Sequence, residues 1–261
     1  MTRDTGPSWQ DLLKHPDGGD HFVQVYQDHA FLGDAVAEFV GAGLRAGEAS
    51  VVIALPAHTA IFLRRLEARG LVPQHAIKRG QLRVLDASAT LARFMKDGAP
   101  DWRTFHEVCG GAIAELRLQY PRVRAYGEMV DVLWQQGLRE QAIELEGFWH
   151  RLSTLQTFSL LCAYQIDNLD SNAYGGGLER VCGAHTHFIP SADYARFNQA
   201  VSDASKDVLD QPLAQMLISL SSNHRPPTHM PLGQATLFWL TKNMPRTADK
   251  VLSQVRARLA S

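Results

Sequence analysis

Between His21 and Ile166 the chain alternates short apolar runs with stretches whose apolar residues recur three and four positions apart. This rhythm restricts the fold more than any other feature of the sequence, because the two periods belong to strands and helices respectively. HFVQVY (21–26) is followed by Phe31, Leu32, Ala35, Val36, Phe39, Val40 and Leu44 at helical spacing, with Asp28 placed to cap that helix. ASVVIAL (49–55) is apolar nearly throughout, as suits a strand covered on both faces. A helix carrying Ile61, Phe62 and Leu66 and ending at Gly70 leads to the strand QLRVL (81–85) and a short helix around Leu91, Phe94 and Met95. Asp101 is placed to cap a further helix whose stripe is Phe105, Val108, Cys109, Ala112, Ile113 and Leu116. The strand RVRAYG (122–127), helical segments over 130–134 and 138–152, and the strand TFSLLCAYQI (157–166) complete the series. Such alternation predicts an α/β fold, a mostly parallel sheet flanked by helices. Ligands of such sheets bind beyond the carboxyl ends of the strands, so the residues that follow each strand are the ones to weigh.

The flanking segments differ. Residues 1–20 combine Pro7, Pro16, Gly18 and Gly19 with polar residues and read as a flexible arm on which Trp9, Leu12 and Leu13 could dock. Residues 167–190, including DNLDSNAYGGG, read as a linker or junction. Residues 191–261 carry helical spacings (Phe197, Val201 and Val208; Leu213, Leu217 and Leu220; Val251, Val255 and Leu259) and form a small carboxyl-terminal helical appendage. The division expected is therefore arm, sheet domain (21–166), junction and appendage.

Charge excludes little by itself but sets the default. With 26 basic and 27 acidic residues the formal charge is −1, which gives no global attraction to nucleic acid or to an anionic membrane. The basic residues near the carboxyl terminus (Lys242, Arg246, Lys250, Arg256, Arg258) are interleaved with Asp249, as on a solvated helix face, and no direct nucleic-acid contact is expected. Three cysteines without a CxxC pair suit a reducing cytoplasm, and no signal-like or membrane-spanning apolar run is present. CGAHTH (182–187) holds metal-ligand residue types but lacks the second ligand pair of familiar zinc motifs, and no metal is expected.

The runs HFVQVYQDHAFLGDAVAEFVGAGLRAGEASVVIALPAH, GQLRVLDASATLARFM, PDWRTF, RVRAYGEMVDVLW and FSLLCAY, in this order and spacing, resemble the MEDS domain, the sensory domain named for methanogen and methylotroph regulators including DcmR. That family is similar in turn to the RecA/KaiC ATPase fold, so the resemblance implies a RecA/KaiC-like sheet and a sensory role. It also places the turn Tyr26–Gln27–Asp28–His29–Ala30–Phe31 where such ATPases grip phosphate. A working phosphate loop needs glycines, a lysine and a serine or threonine. This turn has no lysine or hydroxyl, Asp28 would repel a triphosphate, and the second strand ends in Leu55 and Pro56 where related ATPases carry acidic residues.

The candidate ligand-binding residues are Tyr26, Gln27, Asp28, Phe31, Pro56, His58, Asp86, Glu128, Met129, Trp134 and Tyr164. Glu128 falls where the resemblance puts a metal-binding acid; it reads either as a polar anchor or as a first-turn helix glutamate favoured by the helix dipole. His58 reads either as a ligand contact or as part of a helix start, and the aromatic residues either as pocket lining or as core. The reading is a non-enzymatic signalling module that binds a small ligand or a signalling protein, a kinase or transcription regulator, in a degenerate nucleotide crevice and passes its state to an output protein in trans. A homodimer is possible and the cofactor is unknown. The alternatives are a nucleotide-binding switch or weak ATPase with an atypical loop, and a purely structural partner-binding protein.

Overall fold

The computed structural model describes residues 9–174, 177–189, 194–223 and 230–260. The chain divides into two compact units, Met1–Gln165 and Ile166–Ser261.

The first unit is built on parallel strands: β1 (His21–Tyr26), β2 (Ala49–Ala54), β3 (Leu82–Asp86), β6 (Val123–Gly127) and β7 (Ser159–Gln165), with β4 (Met95–Lys96) and β5 (Ala99–Pro100) forming a separate two-residue hairpin. Their order is β3-β2-β6-β7-β1, every pair parallel. All residues of β1, β2 and β6 are buried, which is why their sequences are apolar runs and not alternations. Chain order and spatial order disagree in an informative way. From β2 the chain moves outward to β3, then returns to β6 beside β2 and continues to β7, so the β2/β6 pair is the point from which consecutive connections diverge. In open parallel sheets that divergence opens the ligand crevice.

The helices form where the spacing predicts. His29–Arg45 buries Leu32, Ala35, Val36, Phe39, Val40 and Leu44, and Asp28 accepts a hydrogen bond from Ala30 N at 2.8 Å at its start. Asp101 likewise accepts from Thr104 N at 3.0 Å, and Arg139–Leu155 buries Ala142, Leu145, Trp149 and Leu152. Three features escape the periodicity. Pro73–Lys78 forms an extra short helix, the hairpin starts at Met95 where the helix Ala87–Phe94 ends, and His106–Gly110 is a π-helical stretch between Trp102–Phe105 and Gly111–Arg117.

Residues 9–20, expected as part of a loose arm, contain the helix Trp9–Lys14 with Leu13 fully buried and the Trp9 ring edge-on to Phe31. The reason is a distant side chain. Arg124, only 3% exposed, donates to Leu13 O (2.8 Å), Lys14 O (3.0 Å) and Phe39 O (2.9 Å) and pairs with Glu48. Its guanidinium thus ties the first helix to the amino-terminal ends of the strands while satisfying carbonyls that burial would otherwise leave unpaired.

In the second unit, the stretch expected as a linker holds a 3-10 turn at Ser171–Tyr174, a helix Gly177–Gly183 and β8 (His187–Ile189). Tyr174 is buried and donates to Asn168 O at 2.7 Å. Helices follow at Tyr194–Leu209, Gln211–Asn223, Leu232–Asn243 and Pro245–Ala260. Phe197, Val201, Leu217, Leu237, Leu240, Val251 and Val255 are buried, in accord with the helical appendage expected from spacing. Part of the SSNHRPPTHMP segment lies outside the described residues. Among the described residues no helix is long and apolar enough to cross a membrane.

Candidate functional site

At the carboxyl ends of β2 and β6 the diverging connections are joined by one side chain. Glu128 is 1% exposed and its carboxylate accepts from His58 Nδ1 (2.7 Å), from Tyr126 Oη (2.8 Å) and from Leu55 N (2.7 Å). The last bond matters most for architecture, since it clamps the residue after β2 to the residue after β6. The imidazole of His58 continues outward: its Nε2 lies 2.7 Å from Nδ1 of His29, which is exposed in the turn after β1. A hydrogen-bonded chain therefore runs from Tyr126 in the core through Glu128 and His58 to a surface histidine. Tyr26 packs edge-on against both imidazoles, and the His58 ring stacks at 6.0 Å on Phe62.

A second carboxylate supports the first group. Asp131, on the helix Met129–Gln135, accepts from Tyr26 Oη (3.1 Å), Gln135 Nε2 (2.9 Å) and Gln165 N (3.0 Å), which joins the ends of β1 and β7 to that helix.

The electrostatics follow from two carboxylates held in a dry place. Burial by itself would lower the His58 pKa, but the hydrogen bond it donates to Glu128 and the charge of that carboxylate, with a smaller contribution from Asp131, outweigh it and hold the imidazole above its ordinary value. His58 Nδ1–H donates to Glu128, while the contact of its Nε2 with His29 Nδ1 has its donor set by the tautomers of the two rings. Burial pushes Asp131 above the usual carboxylate range even though three hydrogen bonds act against it. Tyr26 and Tyr126 are raised by burial and by the neighbouring carboxylates, so both phenols stay neutral and serve as donors.

The expected site residues separate into several places. Tyr26, His58 and Glu128 meet in the network just described. Gln27 and Asp28 are exposed on the turn, Phe31 is half-buried against Trp9, and Pro56 is the exposed first residue of the helix Pro56–Ala68. Asp86 caps the helix Ala87–Phe94 by accepting from Ala89 N at 2.7 Å. Met129 is fully buried. Trp134 lies edge-on to Tyr164 under the guanidinium of Arg139, and the Tyr164 hydroxyl donates to Glu146 at 2.6 Å in a separate buried cluster. Cys182, His185 and His187 are not gathered into one ligand group: His185 donates from Nδ1 to Val181 O at 2.6 Å, and His187 opens β8.

His29, Tyr126 and Asp131 belong to the network but not to the residues singled out from sequence. Tyr126 shares a sheet face with Tyr26 through the register Phe22↔Leu161 and Leu161↔Tyr126, a pairing that only the strand order reveals. His29 and Asp131 carried no sequence signal either.

A sequence model of the MEDS family, the MEthanogen/methylotroph, DcmR Sensory domain, matches residues 20–186. The chain belongs to the MEDS family. No match to the chain is found among curated proteins. The MEDS match spans all five parallel strands of the first unit and every residue of the Glu128 and Asp131 groups, so the network lies within a sensory domain.

Proposed function

We propose that this MEDS chain is a non-enzymatic signalling module of RecA/KaiC ancestry, whose former nucleotide crevice has become a recognition surface that a small ligand or a signalling protein occupies. One observation carries the reading: the carboxylates at the two places that the resemblance assigns to a nucleotide and its metal, Asp28 and Glu128, are already bonded within the chain. Asp28 accepts from Ala30 N at the start of the helix His29–Arg45, where a phosphate loop would present free N–H groups. Glu128 uses its carboxylate to tie the β2 and β6 connections together. A triphosphate would have to displace the Asp28 carboxylate with no lysine in the turn to offset the repulsion, and the Glu128 carboxylate is already engaged by His58, Tyr126 and Leu55 N instead of a metal.

The exposed parts of the turn, Gln27, Asp28 and His29 with Pro56 beside them in the adjoining connection, are then the recognition surface, and Tyr26, His58 and Glu128 are its support. An occupant that hydrogen-bonds His29 would pull on His58 and so on the clamp between the strand connections. For that to signal, the occupant must prefer one of two arrangements, because equal affinity for both shifts nothing. The output then lies in another, cytoplasmic, protein.

The test is the response to nucleotide. Magnesium-ATP and magnesium-GTP are expected to leave the melting temperature unchanged, since a ligand that does not bind the native state cannot stabilise it. Stabilisation by magnesium-ATP together with phosphate release that Glu128→Gln abolishes would establish the nucleotide-switch alternative instead.

A further inference from the structure

The opposite side of the sheet from the Glu128 network holds a second buried polar group, and its composition is that of a metal site. His21 opens β1, Cys162 lies in the middle of β7, and the parallel register His21↔Leu160 and Val23↔Cys162 puts both side chains on one face of the sheet. Glu146 reaches them from the middle of the helix Arg139–Leu155, where it is 0% exposed. Three atoms face one another: His21 Nε2 to Cys162 Sγ is 3.4 Å, His21 Nε2 to Glu146 Oε2 is 3.5 Å, and Cys162 Sγ to the same Oε2 is 3.7 Å.

We propose that His21 Nε2, Glu146 Oε2 and Cys162 Sγ are ligands of a divalent transition metal, with zinc the best fit. Donors at 2.0–2.3 Å from a tetrahedral zinc stand about 3.3–3.7 Å from one another, so the triangle already has the size of one face of that tetrahedron. One sulfur, one imidazole nitrogen and one carboxylate oxygen suit zinc and its first-row neighbours and do not suit calcium or magnesium. The charges agree as well. A thiolate and a carboxylate neutralise a divalent cation, which removes the penalty of a lone anion in the core. The other oxygen of Glu146 accepts from Tyr164 Oη at 2.6 Å, the outer hydrogen bond that fixes a ligating carboxylate. Without metal the Cys162 thiol donates to Glu146 Oε2 and His21 faces the same oxygen, so a cation would take the place of the thiol proton among three donors already gathered around one point. On binding, the cation enters and the thiol proton leaves to solvent, with no change of oxidation state.

The full-length chain, unfolded in denaturant with chelator and refolded with zinc or cobalt(II), gives the test. The expected result is about one metal per chain retained through gel filtration, and for cobalt a thiolate-to-metal charge-transfer band. Cys162→Ser should abolish the band and the retained metal, whereas Cys109→Ser, at a buried cysteine outside the group, should keep both. Tyr164→Phe should weaken metal affinity by about 10–100-fold without removing it. If Cys162→Ser does not refold, the band of a Cys109→Ser/Cys182→Ser double variant decides, because Cys162 is then the one sulfur left that can give it. Refolded wild-type protein with no charge-transfer band and no retained metal would overturn the proposal, as would a Cys162→Ser variant that holds metal as tightly as the wild type.

Discussion

Replacing Glu128 by Gln keeps the shape of the side chain and removes its charge, which makes it the sharpest probe of the network. The carboxylate accepts from His58, Tyr126 and Leu55 N, and an amide can accept with only one of its two ends. If the amide oxygen stays with His58 and Tyr126, the NH2 group confronts Leu55 N–H, and a buried donor left without a partner costs about 1–3 kcal/mol. The two surviving hydrogen bonds lose their charge assistance, about 1 kcal/mol each. The amide also escapes the desolvation of a buried carboxylate, which offsets part of the loss and leaves about 2–4 kcal/mol. Urea unfolding followed by far-UV circular dichroism measures this difference. The effect carries a pH signature. In the wild type the His58 pKa is raised, so its stabilising contribution is fully present below the unfolded value of about 6.5 and is lost as pH rises through the folded value. Without Glu128 that attraction disappears and only the smaller pull of Asp131 opposes burial, so the variant gains less from acid. The gap between the two proteins should therefore be wider at mildly acidic than at alkaline pH. A difference below about 0.5 kcal/mol, the range of ordinary surface substitutions, at both ends of that pH range would refute the clamp.

Three further substitutions test other contacts. Asp28→Ala removes the cap of the helix His29–Arg45 and should cost about 1 kcal/mol in thermal or urea unfolding. Arg124→Met leaves buried Glu48 with only the longer 4.0 Å contact to Arg122 and strips the donors from Leu13 O, Lys14 O and Phe39 O; a loss of about 3–5 kcal/mol is expected, with faster amide exchange in Trp9–Lys14. Gly43→Ala would set a methyl group 2.7 Å from Arg124 Nε, a side chain already pinned by its acceptors, and should destabilise by about 1–3 kcal/mol, with much of that cost absent in an Arg124→Met background as a double-mutant cycle would show.

How much of this was legible from the residues varies with the kind of contact. The strand β1 coincides with HFVQVY, and the other strands differ from their apolar runs by a few terminal residues, because burial on both faces writes itself directly into composition. Caps were legible for the same local reason: Asp28 and Asp101 each bond an amide two or three residues ahead, while Asp86, weighed from sequence as a ligand residue, bonds Ala89 N in the same way. The Glu128 network was legible only in part. Its position after a strand marked Glu128 and His58, but their mutual hydrogen bond spans 70 residues of sequence and depends on β2 lying beside β6.

The sequence by itself determined the alternation of strands and helices, the helix starts, and a turn without the residues that bind triphosphate, since each of these depends on neighbours within a few positions. Tertiary structure alone decided that β2 and β6 adjoin, that Arg124 fastens the first helix, that a surface histidine connects to a buried carboxylate, and that His21, Glu146 and Cys162 converge. Those outcomes depend on strand order, and strand order is set by how whole faces pack; a short segment carries no record of which distant segment will cover it.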